Sequence, residues 1–381
     1  MTTSARPYRI ALASATVLSA IAAVAGLVWL VDPTAIVFGV DTVPPLIIAL
    51  FGMGPATLVL ALSSVVGVAA GAAALTGSGR GRPAGIGLVA AVGAAQALVF
   101  GVGFGSISNL STAGYLVAMA IPVLLLIVIV QVIRRYPAAR WTIGVPLLLA
   151  SGIGLLLGRE PLGVLVSNLG PALARQAGFL LVTLLMIAIG FAWAAAAVLA
   201  VVDTDAAKRT TRWVTRHRTL FTLLAALGPV PYGLARLTWL TPWPIFGAEA
   251  AADMPTRILG LALSSGSWFA LVLTIGLIRP WGEVFPRWIP FLAGRRVPVA
   301  AAAVPGGIVA AMLCFAAVPF LMQAALGGSI EMTLIFPCWL WGPALALAVW
   351  GYIGHRSSGD RRGGGESIEQ PVKPSPTDSR A

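Results

Sequence analysis

The chain has 381 residues, of which 58% are hydrophobic and only 10% are charged, and its formal net charge is +12. Soluble domains normally carry about 25% charged residues. This composition therefore excludes a soluble enzyme, a disordered protein and a small secreted module held by disulfides. Apolar runs of about 20 residues predict instead that lipid surrounds most of the chain.

Ten apolar segments follow one another along the chain. Inside a bilayer, every backbone donor and acceptor must be satisfied within the protein, and a helix does this within one segment. The sequence therefore predicts an all-α fold, a polytopic integral membrane bundle of about ten transmembrane helices. The predicted spans are residues 10–31, 46–75, 84–104, 114–133, 141–157, 177–201, 219–240, 258–278, 299–324 and 335–353.

Three segments depart from a simple up-and-down pattern. Residues 46–75 are longer than a span requires, which predicts either a tilt or a break at Gly54-Pro55. Residues 160–174 are apolar but too short to cross, so we expect an outer interfacial or re-entrant piece. Residues 281–293, with Trp, Phe and Pro, predict an inner interfacial stretch.

Lys and Arg residues alternate between the loops in a way that orients the chain. They concentrate in the loops that lie on one side if residues 1–9 are cytoplasmic, and an excess of Lys and Arg marks the cytoplasmic face. The sequence therefore predicts that both chain ends lie in the cytoplasm of a bacterium, with the bundle in its plasma membrane.

The predicted transmembrane domain covers residues 1–353. A basic cytoplasmic loop, residues 203–218, separates six spans within residues 10–201 from four spans within residues 219–353. Residues 354–381 are rich in Gly, Ser, Pro and charge, which predicts a disordered cytoplasmic tail.

Few side chains within the predicted spans can support chemistry. Arg236 is their only charged residue, and Gln96 and Gln323 add two amides, while His217 and His355 both fall in cytoplasmic segments. Ionisable residues are normally present in spans where function requires them. We therefore expect no catalytic residue, no metal and no cofactor, and the pattern argues against an enzyme.

The segment around Arg236 is the candidate binding site. Gly228-Pro-Val-Pro-Tyr-Gly233 interrupts the seventh predicted span, since each proline removes an amide donor, and transporters build substrate sites at broken helices. The predicted substrate-binding residues are Arg236, Pro229, Pro231, Tyr232, Gln96 and Gln323.

Two other roles for Arg236 are open at this point. Its long side chain can extend to the outer head groups, or it can pair with an acidic residue. The candidate acids are Glu249, Asp253 and Glu331.

Three functions are compatible with these residues. The first is transport or handling of a small or lipid-like molecule at the broken seventh helix. The second is a non-catalytic membrane subunit or sensor that works through partner proteins. The third is a membrane-embedded transferase that uses the outer-face carboxylates Asp32, Asp41, Glu249 and Asp253. The expected partners are the bilayer and an anionic lipid or small-molecule ligand; nucleic acid is not expected, because the basic residues are spread over loops.

One loop carries a family resemblance. The stretch from Arg279 to Pro298, with Arg279-Pro-Trp-Gly-Glu283 and Arg287-Trp-Ile-Pro290, precedes Pro305-Gly-Gly307. Residues 279–307 resemble segments of uncharacterised polytopic membrane proteins of GC-rich Gram-positive bacteria. That group has no assigned activity, so the resemblance implies a setting and no site residues.

Overall fold

In the computed structural model, the described residues are 5–35, 44–77, 83–105, 177–179, 181–247, 254–287, 292–327 and 330–365, with isolated positions between 130 and 149. Within these ranges the regular structure is helical, apart from one isolated antiparallel bridge between Val284 and Arg296. The all-helical fold predicted from the sequence is confirmed.

The described ranges contain twelve helices, which we number in chain order. They are α1 (Ala5–Val31), α2 (Leu46–Phe51), α3 (Met53–Thr76), α4 (Pro83–Gln96), α5 (Ala177–Val201), α6 (Asp205–Arg216), α7 (Arg218–Leu227), α8 (Val230–Leu237), α9 (Met254–Gly276), α10 (Val299–Gly327), α11 (Ile330–Ile335) and α12 (Cys338–Gly365). A π-helix, Ala97–Gly103, continues α4.

Seven helical segments of the described ranges are long and apolar enough to cross a membrane. They are Arg6–Val31, Met53–Thr76, Gly85–Gly103, Ala177–Val201, Arg218–Leu240, Val299–Leu326 and Ile330–Ser358. Helix α9 adds a shorter apolar section, Ser264–Gly276. The predicted spans 114–133 and 141–157, and the predicted interfacial piece 160–174, lie outside the described residues. A multi-pass membrane protein is thus supported, while the count of ten and the orientation stay predictions.

The long second segment is divided at Gly52, two residues before the predicted break. Gly52 has φ of +81°, a left-handed conformation that glycine adopts without strain. Pro55 then occupies the first turn of α3, where backbone amides have no helical acceptor and proline costs nothing. The chain therefore bends at the glycine, and α3 begins at Met53 with the proline in its first turn.

The last helix is longer than predicted. Helix α12 continues to Gly365 and so includes residues 354–365, which were predicted as part of the tail. Arg356 explains part of the difference, because its guanidinium donates hydrogen bonds to the Val297 carbonyl at 2.8 Å and the Glu283 carbonyl at 3.3 Å. These contacts attach the polar end of the helix to the loop of residues 280–297.

Within residues 203–218, predicted as a basic cytoplasmic loop, Asp205–Arg216 forms helix α6. The Thr204 side chain accepts a hydrogen bond from the Ala207 amide at 3.2 Å, which caps the first turn. Thr211 accepts a hydrogen bond from Trp350 Nε1 of α12 at 3.0 Å. Gly351 and Gly354 of α12 leave room for this contact, because a Cβ on Gly351 would lie 2.9 Å from Arg218 Cβ and one on Gly354 would overlap Thr215.

The buried apolar residues form two cores. The N-terminal core is built by α1, α3, α4 and α5, and the C-terminal core by α7, α9, α10 and α12. In the chain, the residues of the two cores lie on either side of residues 203–218. Ser and Thr hydroxyls inside the spans donate to carbonyls one turn earlier, as Ser64 does to Leu60 at 2.7 Å, so lipid-facing helices can carry them.

Phe315 of α10 joins the two cores. Its ring packs against Gly101 of the π-helix and Gly190 of α5, where an added Cβ on Gly190 would lie 3.3 Å from Phe315 Cε2. The Phe191 ring meets Phe315 edge-on, with centroids 5.4 Å apart. The two glycines thus form the slot that lets an aromatic side chain of one half enter the other.

Candidate functional site

The predicted interruption of the seventh span is a kink rather than an unwound segment. Helix α7 ends at Leu227 and α8 begins at Val230, yet Gly228 and Pro229 keep near-helical backbone angles. The Gly228 amide donates to the Ala225 carbonyl at 3.1 Å, and the Gly233 amide to the Pro229 carbonyl at 3.1 Å. We call residues Arg218–Leu240 the kinked span.

Two glycines on the kinked span receive tryptophan rings. A Cβ on Gly228 would lie 2.6 Å from Trp341 Cβ, and one on Gly233 would lie 2.9 Å from Trp268 Cζ2. Any larger side chain at either position would displace an indole. The glycines of the Gly-Pro-Val-Pro-Tyr-Gly segment therefore serve close packing against α12 and α9.

An aromatic cluster lies beside the kink and consists of Tyr232, Phe320, Phe336 and Trp341. Phe336 is its centre, with ring centroids 5.4 Å from Tyr232, 5.9 Å from Phe320 and 5.7 Å from Trp341. Trp341 is 7% exposed, and its buried Nε1 has no hydrogen-bond partner among the described residues. The cluster is apolar except for this indole N–H and the Tyr232 hydroxyl.

Arg236 lies one turn beyond Tyr232 and is half-buried. Its Cζ is 3.9 Å from the ring centroid of Trp239 and 5.2 Å from that of Tyr232. Trp239 is itself buried, and its Nε1 donates to the Phe246 carbonyl at 2.7 Å. Because that hydrogen bond holds the indole in place, Trp239 offers a fixed ring face to the guanidinium.

The acidic partners predicted for Arg236 are not found in the part of the chain that the structure describes. Glu331 is exposed and forms no ion pair with Arg236. Glu249 and Asp253 lie outside the described residues. Among the described side chains, Arg236 therefore contacts two aromatic faces and pairs with no carboxylate.

The six predicted site residues do not converge on one place. Pro229, Pro231, Tyr232 and Arg236 share the kinked span, whereas the Gln96 side chain is buried in the N-terminal half of the chain. Gln96 Nε2 donates to the Ser63 carbonyl at 2.6 Å, and its Oε1 has no partner among the described residues. Gln323 is half-buried on α10, three residues after Phe320 of the aromatic cluster.

The buried amide of Gln96 belongs to a small polar group between helices. A Cβ on Gly67 would lie 2.8 Å from Ser19 Oγ and 3.2 Å from Gln96 Nε2, so both side chains border this glycine. Ser19 Oγ accepts a hydrogen bond from Trp193 Nε1 at 2.9 Å. These contacts give Gln96 a packing role.

A second polar group, not foreseen from the sequence, surrounds Glu283 in the 280–297 loop. Glu283 Oε1 lies 3.2 Å from His355 Nε2 and 3.9 Å from Arg218 Nη1. Tyr352 donates to the Gly282 carbonyl at 2.9 Å and accepts from Arg356 Nη1 at 3.2 Å. The signal in the sequence was one acidic residue in an otherwise basic loop, but only the fold identifies its partners.

Asp32, the described member of the predicted outer carboxylates, has a local structural role. Its Oδ1 accepts hydrogen bonds from Thr34 Oγ1 at 2.5 Å and from the Thr34 amide at 3.0 Å. These bonds, the hydroxyl bond first, lower the pKa of Asp32 below its ordinary value. The carboxylate caps a 3-10 turn and is fully exposed to solvent; Asp41 lies outside the described residues.

Comparison of the chain with known protein families, with curated proteins and with solved structures finds no match.

Proposed function

We propose that this chain is a multi-pass protein of a bacterial plasma membrane that transports or otherwise handles a small amphipathic molecule with an anionic head group. Arg236 binds the head group, and the aromatic cluster accommodates the apolar part. Ten spans, with both chain ends in the cytoplasm, belong to this proposal.

One observation carries the proposal: the Arg236 guanidinium lies on the Trp239 ring without an acidic partner among the described residues. A cation on an aromatic face gains about 0.5–2 kcal/mol. Removing a charged group from water costs several kcal/mol, and more so within a membrane segment. A bound anion would supply the missing interaction.

The position of the aromatic cluster supports an amphipathic ligand. Tyr232 lies four residues before Arg236, which corresponds to about 6 Å along a helix, and its ring contacts Phe336. The buried Nε1 of Trp341, which has no hydrogen-bond partner among the described residues, adds a donor on the apolar side. A charged head at Arg236 would therefore have an aromatic surface one turn away for its chain.

The test uses the purified full chain in mild detergent, with dodecyl phosphate as an anionic probe and dodecanol as its neutral counterpart. We expect the wild type to bind dodecyl phosphate more tightly than dodecanol in titration calorimetry. Arg236→Gln should weaken dodecyl phosphate binding by about tenfold, since a charge-assisted contact of about 1.5 kcal/mol is lost, while Arg236→Lys should retain part of it.

Arg257→Gln is the matched control, because Arg257 is half-buried on the neighbouring helix α9 and the substitution removes the same charge. It should bind both probes as the wild type does. If Arg236→Gln binds dodecyl phosphate as tightly as the wild type, Arg236 merely extends to the head groups and the proposal fails.

A further inference from the structure

Helix α6 presents two different faces. Ala207, Thr211, Val214 and Thr215 recur at helical spacing, and each is half-buried or buried. Val214 is 0% exposed, and Thr211 is bonded to Trp350 of α12. This face attaches α6 to the last helix.

The opposite face of α6 is basic and exposed. Arg209, Arg212 and Arg216 lie three and four residues apart, which places them on one side of the helix, and all three are exposed. None of them forms an ion pair with a carboxylate of the described residues, whereas Lys208 at the edge of this face pairs with Asp205 at 3.9 Å. We call Arg209, Arg212 and Arg216 the arginine face.

The arginine face belongs to a helix that packs near the end of the last candidate span, Ile330–Ser358. Helix α6 contacts α12 at Trp350, Gly351 and Gly354, and Trp and Tyr prefer the head-group depth of a bilayer. Trp213, beside the arginines, is 55% exposed although its ring also contacts His217 and Phe221. A half-exposed indole next to a row of arginines is the composition of an interfacial helix.

We propose that the arginine face is a binding surface for the anionic phospholipid head groups of the inner leaflet, with Trp213 inserted between them. Arginine binds phosphate in a fixed bidentate geometry, and a basic segment at the membrane surface gains affinity with each Lys or Arg. Helix α6 is packed against α12 and ends just before the kinked span begins at Arg218, so lipid bound here lies next to the Arg218 end of that span. This site is independent of the one proposed at Arg236.

The experiment measures how much phosphatidylglycerol the full-length protein retains. Wild-type protein is reconstituted in nanodiscs of phosphatidylglycerol and phosphatidylcholine, transferred to detergent, washed and analysed by native mass spectrometry. We expect the wild type to retain phosphatidylglycerol in preference to phosphatidylcholine. In the triple variant Arg209→Gln, Arg212→Gln, Arg216→Gln this preference should be weaker by about an order of magnitude.

A matched control removes the same charge from the neighbouring basic loop. Arg279, Arg287 and Arg295 are exposed and lie on the same predicted side, so Arg279→Gln, Arg287→Gln, Arg295→Gln should retain phosphatidylglycerol as the wild type does. Equal losses in the two triple variants would mean that net charge alone attracts the lipid, which overturns the proposal.

Two further measurements keep the test decisive if the α6 variant does not fold. For the wild type, raising the NaCl concentration during the wash should release phosphatidylglycerol, because salt screens exposed charges; the single variant Arg212→Gln should lower the salt concentration at which release occurs. If neither salt nor Arg212→Gln changes the retention of phosphatidylglycerol, the proposal is overturned. So does an α6 variant that keeps its lipid and instead loses an acidic protein that copurifies with the wild type.

Discussion

Arg236 shows how a charged side chain is accommodated inside a span when no described carboxylate is near. Trp239 and Tyr232 offer ring faces to the guanidinium, and Trp239 is held by its hydrogen bond to Phe246. Sequence spacing made Tyr232 a neighbour of Arg236, since residues four apart share a helix face. Trp239 is three residues on and completes that face.

Single glycines determine how closely the helices approach. Gly101 lies in the π-helix against the Phe315 ring. A Cβ added to Gly190 would lie 3.2 Å from the amide nitrogen of Gly101. Small residues at such points are common between membrane helices because packing, rather than the hydrophobic effect, holds them together. Gly101 and Gly190 therefore allow the two cores to pack closely at Phe315.

Gly101→Ala should lower the thermal unfolding midpoint of the protein in detergent. The added methyl group would overlap the Phe315 ring, and overpacking of this kind costs about 1–3 kcal/mol. Combining it with Phe315→Leu, which removes the ring, should recover part of the loss. Gly87→Ala is the control on the same helix, because nothing lies within 4 Å of its added Cβ, and its midpoint should stay equal or rise. A Gly101→Ala midpoint equal to that of the wild type would contradict this view of the slot.

At the scale of elements, the 280–297 loop is held at the end of the last helix by Arg356 together with Tyr352 and His355. Arg356 donates to the carbonyls of Val297 and Glu283 and to the Tyr352 hydroxyl. The loop also closes on itself, with the Val297 amide donating to the Glu283 carbonyl at 2.8 Å and the Phe285 amide to the Arg295 carbonyl at 2.9 Å. Arg356 thereby connects a long loop to a transmembrane helix and extends that helix beyond its apolar part.

Arg356→Gln should open this loop. A hydrogen bond from a charged donor is worth about 1.5–3 kcal/mol, so we expect the backbone amides of Val297 and Phe285 to exchange with solvent about ten times faster in hydrogen–deuterium exchange. The amides of α1 should be unaffected. Arg279→Gln, at an exposed position in the same segment, serves as the control; equal acceleration in both variants would show that Arg356 has no particular role.

At the scale of the whole molecule, two cores of helices meet at Phe315, and α6 packs against the end of α12. The division at residues 203–218 follows the change in sequence from apolar to basic, and α6 occupies that division as a helix docked on α12. The described C-terminal half therefore includes an ordered polar end made by α6, the 280–297 loop and α12.

The predicted orientation can be tested by labelling cysteines with a membrane-impermeant maleimide. In intact cells Asp32→Cys should be labelled, because Asp32 is exposed at the end of α1 that the charge pattern places outside. Thr210→Cys, exposed on α6, should react only after the cells are permeabilised. The wild-type chain, with Cys314 half-buried and Cys338 buried, gives the background. Labelling of Thr210→Cys in intact cells would reverse the orientation.

The sequence by itself determined that the fold is helical and that several of the described helices suit a membrane. This information is local, since about 20 apolar residues in a row must satisfy their backbone hydrogen bonds within the segment. The same local signals found the kink at Pro229 and Pro231 and singled out Arg236. They misplaced the break at Gly52 by two residues, because the glycine's left-handed backbone, and not the proline, bends the chain.

Only the tertiary structure decided which side chains meet. It separated Gln96 from Arg236, brought Glu283 to His355 and Arg218, and turned the basic segment into a helix with one buried face. These outcomes depend on contacts between residues far apart in the chain. Hydrophobic periodicity and loop charge carry no information about such pairs, because a helix of given composition can pack against any neighbour that fits its small residues and leaves no buried polar group without a partner.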